Sequence, residues 1–221
     1  VAKRNEDHVR DFRAGKNVRE RIHMVHVSKL QKTFTLRISL ERSDPEIWRR
    51  FQVTNEMTLD DLHDTIQIVM GWTDSHLHRF SIAGTDYSKI LPDVVERDGQ
   101  DAIDEDDVLI GDVIKKKGQK FVYIYDYGDN WRHNLVVEAI GEPAPGQYYP
   151  VCLEGERACP PEDCGAIWGY YQMLESLHDP DHEEHARYLE WLGGHFDSDH
   201  FDLESRNAIL ERFDEYVSGW D

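Results

Sequence analysis

No apolar run in the 221 residues approaches the ~20 that a transmembrane helix requires, and no signal-peptide core is visible. A soluble, cytoplasmic protein with no membrane partner is therefore expected. Cysteine is scarce: three residues, an odd number, all between positions 152 and 164, which argues against a secreted disulfide scaffold. The glycine motifs that grip phosphate are missing, both G-x-x-x-x-G-K-[ST] and G-x-G-x-x-G behind a strand, and so is a G-x-S-x-G elbow. Nucleotide-driven motors, Rossmann dehydrogenases and α/β-hydrolases drop out with them. No internal repeat is present. Positive charge is also short, 25 Lys and Arg against 44 Asp and Glu, for a net charge of −19. Such a body repels phosphate and is a poor nucleic-acid binder as a whole.

The deficit is uneven. Residues 1–50 hold 13 basic against 7 acidic side chains, and the rest of the chain holds 12 against 37. This predicts a basic N-terminal arm at 1–32, helical or partly disordered, ahead of a single α+β domain at 33–221. Nucleic acid has a favourable surface only on that arm.

Within the domain, Phe34, Leu36, Ile38 and Leu40 alternate with polar residues, the period of a half-buried strand. Ser43-Asp44-Pro45 turns the chain into a second strand, IWRRFQVT. Thr58 with Asp61 caps a helix whose stripe is Leu59, Leu62, Ile66 and Val69–Met70, and Gly71 ends it. HLHRFSIAG reads as a strand, 93–107 as a solvated acidic loop, and Val108–Lys117 as a short helical turn. FVYIYDYGDNWRHNLVVE (121–138) is a hairpin. A Pro/Gly/Cys-rich stretch follows, and then helices at GYYQMLESLHD, at HEEHARYLEWLGG after Asp179-Pro180, and at LESRNAILERFDEYV capped by Asp202. The expected fold is α+β: a mainly antiparallel sheet with a ββαβ-type start, a central hairpin, and C-terminal helices packed on one face.

The hairpin turn is crowded beyond what a turn needs. Asp126, Asp129, Trp131 and His133 surround it, and His76 and His78 lie on the neighbouring strand. Two carboxylates and an imidazole suit acid–base work or a divalent ion. Turn formation by Asp129-Asn130, capping by Asp126 and core packing by Trp131 account for the same residues without a ligand. Cys152, Cys159 and Cys164, with His133, or else His76 or His78, as a fourth ligand, would make a tetrahedral zinc site, although their spacing is not that of a zinc knuckle. Reduced structural thiols are the plain alternative. His182-Glu183-Glu184-His185 is one residue too short for a zinc-protease motif and reads as a helix start. Asp197–Asp202 lacks the glycine and the closing glutamate of an EF-hand.

Several stretches together, IWRRFQV, GWTDSHLHRFSIAG, YDYGDNWRH, CLEGERACPPEDCG with GYYQMLE, and HARYLEWLGGHFDSDHFD, resemble the plasmid pRiA4b ORF-3-like family over about residues 33–215. Members are also described as passenger TnpR-like proteins of an insertion element. The resemblance implies an α+β domain in the company of mobile elements. The serine-and-arginine constellation of a resolvase is not found in this sequence. The leading expectation is a binding or accessory domain, more a non-enzyme than an enzyme. It would hold a protein or small-molecule ligand, or a metal such as zinc, in a cleft of the 126–133 hairpin, His76/His78 and the 152–164 loop. Two alternatives stand beside it: a metal-dependent hydrolase using Asp126, Asp129 and His133, and a DNA-associated accessory protein acting through the arm.

Overall fold

Alternation in Thr33–Leu40 (β1) turns Phe34, Leu36, Ile38 and Leu40 inward, and all four are buried. The computed structural model describes residues 30–90 and 102–219. The predicted arm at 1–32 and the first part of the acidic stretch thus fall almost wholly outside the described residues. β2 (Trp48–Thr54) returns antiparallel to β1, with Leu36 opposite Phe51 and Phe34 opposite Val53. β3 (His78–Ile82) and β4 (Thr85–Ser88) form a hairpin, and β5 (Ile103–Asp104) adds a short parallel pairing to β4. The crowded hairpin is β6 (Lys120–Tyr125) and β7 (Trp131–Gly141), and β8 (Val151–Glu156) closes the far edge beside β2. Among the described residues the result is one eight-stranded sheet of order β5-β4-β3-β6-β7-β1-β2-β8, mainly antiparallel as anticipated.

The first helix, α1 (Leu59–Met70), starts at a reciprocal Thr58–Asp61 capping box and ends at Gly71, whose φ of 104° needs a residue without Cβ. A 3-10 turn at Glu105–Asp107 precedes α2 (Ile110–Val113). The C-terminal helices are α3 (Ala166–His178), α4 (His185–Trp191), α5 (Leu203–Leu210) and α6 (Phe213–Val217). Asp202 does cap α5, accepting from Ser205 N at 2.9 Å. The edge strand β8 is covered by α5. Asn207 accepts from Cys152 N at 2.8 Å and donates to Cys152 O at 2.9 Å, occupying backbone groups that would otherwise invite another strand.

Three sequence expectations need correction. Residues 180–184 form turns and α4 begins only at His185, because His182 Nδ1 takes Glu184 N at 3.1 Å and competes with helical bonding. The last helix is two, interrupted at Glu211-Arg212. The acidic stretch 93–107 is not simply a solvated loop, since Glu105 is fully buried.

Arg49 of β2 is the most unusual core residue. Fully buried, it donates to Val69 O at 2.8 Å and to Trp48 O, Glu156 O and Arg157 O, each at 2.7 Å, while its guanidinium lies 3.9 Å over the Phe201 ring. One side chain therefore ties the carbonyl end of α1 to the chain leaving β8. Burial lowers its pKa to about 10, which still leaves it charged at neutral pH. No helix among the described residues is long and apolar enough to cross a membrane.

Candidate functional site

Three loops meet beside the end of α1: residues 71–77, the turn 126–130, and the segment 157–165. Trp72 Nε1 donates to Pro160 O at 3.0 Å and Thr73 N to Glu162 Oε1 at 2.9 Å. Tyr125 Oη links the groups, accepting from Ser75 N and donating to Glu162 Oε1, both at 3.0 Å. Asp129 Oδ2 receives Gly165 N at 3.2 Å. Asp74, Asp126 and Asp163 all adopt left-handed backbone, with φ of 53°, 57° and 57°. Aspartate tolerates that region better than most residues because its carboxylate bonds nearby amides, as Asp126 Oδ1 does with Gly128 N at 2.7 Å.

At this junction His76 Nε2 is buried and makes no hydrogen bond, yet it lies 3.3 Å from Asp163 Oδ1 and 3.8 Å from Asp126 Oδ2. The imidazole is oriented edge-on to Tyr125. Asp163 is 74% exposed, so the group opens to solvent on its side. The same loops help wall a cavity of about 650 Å³ lined by Trp72, Cys159, Glu162, His200 and Arg206 among others.

Behind the junction is a second, buried group. His63 of α1 and His78 of β3 stack with ring centroids 3.4 Å apart and planes 5° from parallel. His63 Nδ1 is 2.7 Å from Tyr123 Oη and its Nε2 is 2.8 Å from Asp74 Oδ1. Gln67 Nε2 donates to the same Tyr123 oxygen at 3.0 Å, and Asp74 N donates to Gln67 Oε1 at 3.0 Å. His78 Nε2 lies 2.7 Å from Glu105 Oε1. Burial first, then the neighbouring His78, pushes His63 down to about 3, so it is neutral in the folded protein. Nearby on α1, burial together with Asp60, Asp74 and Asp61 pushes the Asp64 carboxyl up to about 8.

The site residues expected from sequence divide. His76 and Asp126 come together, joined by Asp163, while Asp129 acts on the Gly165 amide. Trp131 packs in the core. His78 belongs to the buried stack. The convergence of His133 with Asp126 and Asp129 does not occur: the fully buried His133 ring is directed among Trp72 and Tyr123, because the strand alternation that buries Trp131 and Leu135 buries it too. The thiol set is not assembled either. Among the described residues, two groups of three or more His, Cys, Asp or Glu bring ligand atoms within 4.8 Å of one another, and neither includes a cysteine or His133. Cys152 is buried in β8, with Sγ directed at Arg50 O and Glu154 O, and Cys164 Sγ faces Ala166 O. Burial raises the Cys152 thiol to about 11 and Cys164 to about 12, as expected of inert thiols.

Sequence reasoning missed His63, Asp74, Glu105 and Asp163. A signal existed for the first: His63 and Gln67 follow Leu59 at successive i+4 steps, two polar side chains on the core-facing stripe of α1. Asp74 and Asp163 lie in loops and Glu105 opens a single 3-10 turn, where no periodicity marks them.

Burial pushes His133 down to about 3, and this has a measurable consequence. In the unfolded chain it titrates near ~6.5, so as pH falls below that value the unfolded state gains a proton that the folded state refuses. At pH 5 the penalty from this one residue is about 2 kcal/mol. A His133→Phe variant is expected to lose less stability than the parent between pH 7 and pH 5 in urea unfolding. Parallel stability–pH curves for the two proteins would refute the assignment.

The fold and junction define an α+β domain with C-terminal helices and a polar site gathered at loops, not on a strand or helix face. The chain belongs to the plasmid pRiA4b ORF-3-like family, whose match spans residues 32–205. It is 37% identical over 188 residues to the uncharacterized protein y4hQ of Sinorhizobium fredii (strain NBRC 101917 / NGR234), covering 84% of this chain and 92% of that protein. The crystal structure of the protein of unknown function MM3350 from Methanosarcina mazei Go1 matches with a TM-score of 0.70 and 37% identity, covering 79% of this chain and 97% of that one.

Proposed function

We propose that the protein is a binding domain that holds a divalent metal ion between His76, Asp126 and Asp163 and offers the ion's remaining positions to a ligand. One observation carries the reading: a buried imidazole nitrogen, without a hydrogen bond, aimed between two carboxylate oxygens at 3.3 and 3.8 Å. Ligand atoms around an ion with bonds of about 2.1 Å lie about 3.0–3.4 Å apart, so small side-chain shifts complete the set. Imidazole with carboxylates suits zinc, iron or manganese. Three protein ligands leave the ion open, in contrast to a closed structural site, and exposure of Asp163 keeps that opening on the solvent side. The three ligands come from three separate loops, so the bound ion would also fix their relative position.

The test is equilibrium titration of metal-stripped, untagged full-length protein with Zn²⁺ and Mn²⁺. Asp163→Asn is expected to weaken binding at this site by at least about tenfold, since loss even of outer-shell partners costs that much. Because Asp163 is exposed, its fold should be unaffected. An unchanged isotherm for Asp163→Asn and for His76→Gln would remove this reading and leave His76 as a histidine in ordinary ion pairs.

A further inference from the structure

We infer that His63, Asp74, His78 and Glu105 form a second, buried site for a divalent transition-metal ion, distinct from the one at His76. The four residues come from four places: α1, the loop after it, β3 and the 3-10 turn before α2. Nothing in local sequence forces them together, so their meeting is a product of the fold. The ligand atoms of His63, Asp74 and His78 all lie within 4.8 Å of one another, and Glu105 Oε1 touches His78 Nε2 at 2.7 Å.

The charge pattern is what calls for a cation. Glu105 is fully buried, and its second carboxylate oxygen, Oε2, has no hydrogen-bond partner. Burying an ionised carboxylate is expensive unless a cation or several donors compensate it. The side chains placed against it and against Asp74 are imidazoles, which are ordinary ligands for transition metals. Each imidazole has a carboxylate at its Nε2, Asp74 against His63 and Glu105 against His78.

The surroundings fit a ligand role for His63. A metal ion needs the lone pair of Nε2, which requires the ring proton to reside on Nδ1. Nδ1 lies 2.7 Å from Tyr123 Oη, so that proton has an acceptor waiting. Tyr123 Oη is itself held by Gln67, and Gln67 by the Asp74 amide. Such outer partners orient metal-bound histidines and set their tautomer. The present Nε2–carboxylate separations of 2.7 and 2.8 Å are hydrogen-bond lengths; an ion with ~2.1 Å bonds would open both and turn the two rings out of their parallel stack, so that each in-plane lone pair points at it. Two nitrogens and two oxygens suit a first-row divalent metal better than calcium or magnesium.

The experiment uses the untagged full chain, stripped with a chelator and titrated with Co²⁺ and Zn²⁺, reading absorbance, stoichiometry and thermal midpoint. In the Asp163→Asn background, which weakens the first site, the protein is expected to retain about one equivalent. That equivalent, and the rise in thermal midpoint it brings, should disappear in Asp163→Asn/His78→Gln. Asp163→Asn/Glu105→Gln changes one atom at nearly constant shape and keeps the test available if the histidine variant does not fold. Its expected result is at least about tenfold weaker binding. A folded Asp163→Asn protein that binds less than about 0.2 equivalent with an unmoved midpoint overturns the inference. Metal retained in Asp163→Asn and lost with His78 supports it even where the His76 site fails. The opposite pattern supports the His76 site and refutes this one.

Discussion

Replacing Arg49 with methionine is expected to lower the unfolding free energy by about 4 kcal/mol, a large share of the ~5–15 kcal/mol that holds a domain together. Methionine fills much of the volume, so lost packing is the smaller part. The larger part is four backbone carbonyls, on Trp48, Val69, Glu156 and Arg157, that lose their donor inside the protein. Each buried acceptor left unpaired costs about 1–3 kcal/mol before relaxation and water entry. Arg49→Lys should rescue only part of the loss, since an ammonium has three donors on a point charge and lacks the planar fork spanning carbonyls on different elements. Urea midpoints with an unchanged slope measure both variants. An Arg49→Met protein within about 1 kcal/mol of the parent would show that water replaces the guanidinium freely.

The second large effect concerns a glycine. Inside a helix, Gly→Ala ordinarily gains about 0.5–1 kcal/mol. Gly169 in α3 is different, because a Cβ there would sit 2.0 Å from the carbonyl oxygen of Cys164 and 2.9 Å from its carbon. Those are backbone atoms and cannot swing aside as a side-chain tip would. The clash outweighs the helical gain, and Gly169→Ala is expected to destabilise the protein by about 3 kcal/mol, at the upper end of overpacking costs. The displaced segment carries Asp163 immediately before Cys164, so the variant should also bind metal more weakly at the His76 junction. Thermal unfolding and a Zn²⁺ titration of the same sample read the two effects together. A variant as stable as the parent would mean that the loop yields at no cost.

What was legible in the sequence follows physical lines. β1, β2 and α1 announce themselves, because one buried face leaves a period of two or of 3.6 in the residues. The hairpin at 121–138 was equally plain from its alternation and turn. Its function was read less well: alternation that buries Trp131 and Leu135 must also bury His133, so that residue was never free to join Asp126 and Asp129 at the turn. Asp163 and Glu105 were opaque for a different reason. Asp163 lies in a loop and Glu105 in a single 3-10 turn, and each is brought to its partners by contacts far away in sequence. The cysteines misled through proximity in the chain, since Cys152 Sγ is directed at Arg50 O and Glu154 O, Cys164 Sγ at Ala166 O, and no thiol joins a ligand cluster among the described residues.

The strand order has a consequence for how the chain must assemble. β7 alone joins the half-sheet β5-β4-β3-β6 to the half-sheet β1-β2-β8, bonding β6 on one side and β1 on the other. β1 begins at residue 33 and its partner β7 ends at 141, so the central seam waits until that distant partner has been synthesised. A growing chain that stops short of Trp131 holds two unfastened fragments, with β1 and β6 each presenting an open edge, and pairings of such long sequence separation form slowly. The hairpin is thus the fastener of the architecture, and the turn that closes it is the one that delivers Asp126 to His76.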